Sequence, residues 1–139
     1  MQAAKNVHLL CNTLNVKYVL NVSTFQIEAD VEEYRGKKYE EFFEEILNLH
    51  VLDDDKQDIV NLFPVCFDFI DKARKKNNSP ILVHCMAGQS RSVSIVIGYV
   101  MKELNMDFQT AFAFVKGLHS YSQVSHFAFF VTQSKHSPT

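Results

Sequence analysis

A cysteine and an arginine six positions apart, Cys85 and Arg91, stand where one chain could supply a nucleophile and hold the anion it attacks. The run joining them, Met86-Ala87-Gly88-Gln89-Ser90, holds a glycine and no charge. Ile81-Leu82-Val83 leads into it as a strand, and the apolar run Val93 to Leu104 leads out as a helix. Strand, short loop, helix is an anion-binding geometry. Loop N–H groups turn inward and the helix N-terminus adds its positive end. The groups that favour phosphate also favour a thiolate. Cys85 would then attack phosphorus in line and become a thiophosphate. Arg91 would offer its planar fork to two oxygens, and the amides of Met86 to Ser90 would hold the charge that develops in the transition state. Gly88 lets the backbone approach the anion. Ser92 is placed to donate a hydroxyl hydrogen bond to the sulfur and aid its departure. His84 is expected to orient the cysteine through a ring N–H bond.

The reaction also needs a proton donor for the leaving alkoxide or phenoxide. The candidates are Asp53, Asp54, Asp55 and Asp58, all in the polar stretch after Val51. Spacing alone does not choose among the four.

Elements must bring these groups together. Val7, Leu10, Cys11 and Leu14 mark a helix face, and Val16 to Val22 a buried strand. Tyr39 to Glu45 suits a helical turn or an edge strand, and alternation at Leu47, Leu49 and Val51 predicts a half-buried strand. A helix begins near Ile59, with Asp58 as its N-cap and Pro64 kinking or restarting it, and ends in the basic run Lys72 to Lys76. Two further helices are predicted, one from Phe108 to near Gly117, the other on Val124, Phe127, Phe130 and Val131. The phenylalanines near the C-terminus read as core. Strands early and helices late predict a small α/β domain, a central, mainly parallel sheet flanked by helices.

With 139 residues, 47% of them apolar, the chain fits one domain, residues 1–136, with a short tail at 137–139. A net charge of −2 argues against a nucleic-acid partner, and no apolar run is long enough for a membrane span. Cysteines at 11, 66 and 85 have no metal-type spacing. The expectation is a metal-free, cofactor-free cytoplasmic or nuclear domain, with Cys11 and Cys66 as core residues.

The stretch His84-Cys85-Met86-Ala87-Gly88-Gln89-Ser90-Arg91-Ser92 resembles the signature loop of the dual-specificity protein phosphatases, within the cysteine-based protein tyrosine phosphatase superfamily. Tyr18 to Val22, Val51 to Ile59, Phe69-Ile70 and Ala111 to Lys116 fall in that family's order. The resemblance implies the phosphatase fold, hydrolysis of phosphotyrosine and phosphoserine/threonine in protein substrates, and a cysteinyl-phosphate intermediate. It places the general acid on Asp53 and the helix cap on Asp58. Phosphoinositide-directed relatives typically carry lysines in the loop, where this chain has Met86 and Gln89. Tyrosine-specific members use a Trp-Pro-Asp loop, and this chain has no tryptophan. Two short strands that usually precede the first helix are missing, which implies a trimmed or reduced sheet edge. Leu118-His119 and Val124-Ser125 replace an arginine and a Pro-Asn pair whose asparagine braces the loop. Weak bracing would suit an alternative role, a poorly active or inactive phosphoprotein-binding scaffold of the same fold.

Overall fold

The computed structural model describes residues 11–12, 15–22, 37–49, 59–77, 80–85, 91–120 and 128–131. Four strands form one sheet: β1 (Tyr18–Asn21), β2 (Glu45–Asn48), β3 (Ile81–His84) and β4 (Ala128–Val131). Their order across the sheet is β2-β1-β3-β4. β1 pairs in parallel with β2 and β3, and β4 runs antiparallel to β3. Three helices follow the pattern of the sequence: α1 (Phe63–Asn77), α2 (Arg91–Leu104) and α3 (Phe108–Ser120). The mainly parallel sheet with flanking helices is the expected class.

Alternation along the strands divides their side chains between two faces. Tyr18 and Leu20 from β1, with Val22 just past its end, and Ile81 and Val83 from β3, with Cys85 just past its end, join one apolar cluster with the helices. Cys66, Phe67, Ile70 and Ala73 enter it from α1, Ile95, Val96 and Tyr99 from α2, and Ala111 and Val115 from α3. Val19, Asn21, Leu82 and His84 point to the other face and are also buried. The α2 helix, apolar on most sides, is the buried one, as its composition predicts.

The start of α1 shows what Pro64 does. A 3-10 turn spans Ile59–Leu62, and the α-helix begins at Phe63. Pro64 therefore lies in the first turn, where a missing N–H removes no intrahelical bond. The helix restarts there, as expected. Tyr39–Phe42 forms a 3-10 turn just before β2, so Tyr39 to Glu45 supplies both a turn and the start of a strand. The boundary between α2 and α3 rests on two residues. Asn105 takes φ 52°, a left-handed residue that ends α2, and Asp107 Oδ1 accepts the Thr110 N–H at 2.8 Å to start α3.

Not every expectation holds. The last helix, predicted on Val124, Phe127, Phe130 and Val131, is a strand over Ala128–Val131. A short apolar run suits a helix or a buried strand equally, and the open side of β3 decides in favour of the strand. Three of the late phenylalanines are not core. Phe108, Phe112 and Phe114 are 57%, 43% and 42% exposed. Ala111 and Val115, four residues apart, take the buried face of α3 and leave the rings on its flanks. The predicted helix at residues 3–14 lies almost wholly outside the described residues. Cys11, expected in the core, is only half-buried.

The contact of α1 with α2 is close. A Cβ on Gly98 would stand 2.7 Å from Phe63 Cε2 and 3.1 Å from Phe67 Cζ. Those two rings stack with centroids 4.9 Å apart, so neither swings aside freely. Nearby, the Tyr99 hydroxyl donates to Asp71 Oδ1 at 2.6 Å and accepts from Arg74, joining the same helices. Gly98→Ala gains about 1 kcal/mol of helix propensity, but overpacking costs roughly 1–3 kcal/mol. The expected result is a net loss near 1 kcal/mol, read as a lowered urea midpoint at unchanged slope.

Candidate active site

The end of β3 is held from one side by β1 beyond their strand limits. Val22 N donates to His84 O at 2.8 Å, and Leu49 N donates to Asn21 O at 3.1 Å. Asn21 Nδ2 donates to Asn48 Oδ1 at 2.9 Å, a side-chain rung on the same end of the sheet. Three parallel strands thus finish together where the chain leaves β3. Cys85 is the next residue. It is fully buried, and its Sγ lies 3.1 Å from Ser92 Oγ. Ser92 is also fully buried and sits in the first turn of α2.

Six residues after Cys85, Arg91 opens α2 and is half-buried. The chain therefore leaves a strand at the thiol and enters a 14-residue helix at the guanidinium. The positive end of that helix faces the thiol side of the sheet. Of the expected site residues, the structure sets Cys85 against Ser92, and Arg91 precedes Ser92 at the start of α2. The loop residues Met86, Ala87, Gly88, Gln89 and Ser90 lie outside the described residues. So do Asp53, Asp54, Asp55, Asp58 and Ser125.

His84 departs from expectation. The expectation is that it orients Cys85 through a ring N–H bond. Alternation instead points it through the opposite face of the sheet, and neither ring nitrogen has a hydrogen-bond partner among the described residues. Only 1% of His84 is exposed. Its link to the nucleophile runs through the backbone, by way of the carbonyl that Val22 holds.

The three thiols are distinct. Burial among α1 and sheet residues pushes Cys66 up to about 12, which makes it an inert core residue. Burial also raises Cys11, partly offset by the positive charge of Lys17, and its Sγ donates to Phe42 O at 3.5 Å. Among the described residues, Cys85 alone of the three has a hydroxyl from a helix N-terminus against its sulfur. Sequence reasoning missed the Asn21–Asn48 rung. Its signal was present only in part: Asn21 interrupts the apolar run from Tyr18 to Val22, whereas Asn48 fits the polar side of an alternating strand.

Burial pushes His84 from 6.5 down to about 4. The unfolded chain then binds the proton more readily than the folded one. Stability from this group is complete above pH 6.5 and is lost as pH falls toward 4, on the order of 3 kcal/mol in all. The urea midpoint is expected to drop between pH 6.5 and 5, and His84→Gln should flatten that drop.

A family model described as dual specificity phosphatase, catalytic domain, matches residues 2–135. Mouse dual specificity protein phosphatase 19 is 35% identical over 114 residues, covering 82% of this chain and 46% of that protein. Human dual specificity protein phosphatase 6 is 37% identical over 101 residues, covering 73% of this chain and 24% of that protein. The chain spans less than half the length of either. Among solved structures, human DUSP28 is similar at a TM-score of 0.62 and 25% identity, over 88% of this chain and 74% of that one. A human tyrosine phosphatase-like serine/threonine/tyrosine-interacting protein is similar at 0.62 and 25%, over 83% and 73%. DUSP15, at a TM-score of 0.69 and 22% identity over 86% and 69%, shares the fold.

Proposed function

The chain belongs to the dual specificity phosphatase family, and from that premise we propose that it hydrolyses phosphotyrosine and phosphoserine/threonine in proteins. The observation that carries the reading is the buried Cys85 Sγ at 3.1 Å from Ser92 Oγ, between the end of β3 and the helix that Arg91 opens. In the proposed first step Cys85 attacks phosphorus and the alkoxide or phenoxide leaves with a proton from Asp53. The amides of Met86 to Ser90 and the guanidinium of Arg91 hold the equatorial oxygens. In the second step water attacks the cysteinyl-phosphate and the sulfur leaves as thiolate. Ser92 donates its hydroxyl to that sulfur, which makes it a better leaving group. His84 acts as a positioning residue, through the strand rather than by a side-chain bond. The neutral Met86 and Gln89 favour singly phosphorylated side chains over polyphosphorylated lipids.

The unit that does this is residues 1–136, and three cysteines outside any disulfide among the described residues suit a reducing compartment, cytoplasm or nucleus. A second reading is a weakly active scaffold that holds phosphoproteins. It draws on Ser125 in the place of the bracing asparagine and on the likeness to a phosphatase-like interacting protein.

Turnover of an aryl phosphate distinguishes the two. The wild-type chain should hydrolyse it and Cys85→Ser should not, while Ser92→Ala should retain the burst of released aryl alcohol and slow steady turnover by about 10- to 100-fold, the scale of a lost charge-assisted hydrogen bond. Equal rates for wild type and Cys85→Ser, with phosphopeptide binding kept, would favour the scaffold. Asp53→Ala should cut kcat on a phosphopeptide by roughly 100-fold, a general-acid effect, with KM nearly unchanged. The same loss in Asp54→Ala or Asp55→Ala instead would reassign the acid.

A further inference from the structure

The face of the sheet turned away from Cys85 carries a cavity of about 430 Å³. Pockets for small organic ligands run to roughly 300–1,000 Å³, and a lone water takes about 30 Å³. The walls combine three kinds of surface. Val19, Ile46 and Phe43 are apolar, and Asn48 and His84 are polar. Glu40, Glu44 and Glu45 are acidic, and no lysine or arginine stands among the described lining residues.

His84 is the informative member. It is 1% exposed, lines this cavity, and has two ring nitrogens without a hydrogen-bond partner among the described residues. Buried polar groups are nearly always paired, and leaving one unpaired costs about 1–3 kcal/mol per group. A neutral imidazole presents one donor and one acceptor into the cavity, and burial keeps it neutral. The three rim carboxylates differ in their partners. Glu45 meets Lys72 at 3.1 Å and Glu44 lies 3.9 Å from Lys76, both on the helix side. Glu40 is exposed and has no cation among the described residues.

We propose that this cavity is a second binding site, for a small organic cation with an apolar body, a hydrogen-bonding group at one end and an ammonium at the other. The hydrogen-bonding group meets His84 and Asn48, the body lies against Val19, Ile46 and Phe43, and the ammonium faces Glu40. Glu40 disfavours an anion at that end of the cavity, so the site differs in ligand charge from the phosphate site across the sheet.

The test uses tyramine, which has a phenol, a ring and an ammonium. Titrated into the whole chain, it should saturate, shift the His84 imidazole resonances, and resist displacement by inorganic phosphate. 4-Hydroxyphenylacetate, of similar shape and opposite charge, should bind at least tenfold more weakly. Glu40→Gln, at an exposed position, should weaken tyramine about tenfold. Ile46→Phe should abolish binding with the thermal transition retained. No His84 shift at millimolar tyramine, equal binding of the anion, or displacement by phosphate would each overturn the proposal.

Discussion

The hydrogen bond from Val22 N to His84 O, at the end of the parallel pairing of β1 with β3, fixes the point from which the rest of the site is set. It holds the last peptide of β3 in extended form. Extended backbone sends consecutive side chains to opposite faces. Cys85 therefore points to the helices and His84 to the rear. The thiol meets Ser92 because α2 packs on that face, and the imidazole reaches a cavity because no equivalent helix contact is made there by the described elements. One backbone constraint thus produces a reactive front and a polar back.

The packing of the helices follows the same logic. α2 is close to its neighbours on nearly every side, which requires a small residue where it crosses α1. Gly98 is that residue, with the Phe63 and Phe67 rings against it. The hydroxyl of Tyr99, shared between Asp71 and Arg74, sets the rotation of α1 about the contact. Since Arg91 and Ser92 open α2, any slip of that helix would move both relative to Cys85.

Much of this was legible in the sequence. The strand–loop–helix around Cys85 carries its own pattern, and so do the strand at Tyr18 to Asn21 and the helix that Pro64 restarts. These are local features, set by β-branched runs, helical spacing and proline geometry. What failed is what depends on distant partners. Ala128 to Val131 became a strand because β3 had an unpaired side, which no local window records. Phe108, Phe112 and Phe114 were read as core from their type, yet the buried face of α3 belongs to the smaller Ala111 and Val115. The direction of His84 was deducible from alternation with Cys85, but proximity in sequence suggested a direct bond.

The antiparallel β4 has a further consequence for how the chain acquires its shape. During synthesis, β3 can pair with β1 as soon as His84 has emerged. Its other side waits for Ala128 to Val131, after two intervening helices have been made. Until then the strand that bears Cys85 is an edge, with a free row of backbone donors and acceptors, and edges of that kind invite pairing with other chains. The C-terminal strand is thus a seal as well as a structural element. It closes the nucleophile's strand last, and a nascent chain halted before it would present that strand to whatever else is folding nearby.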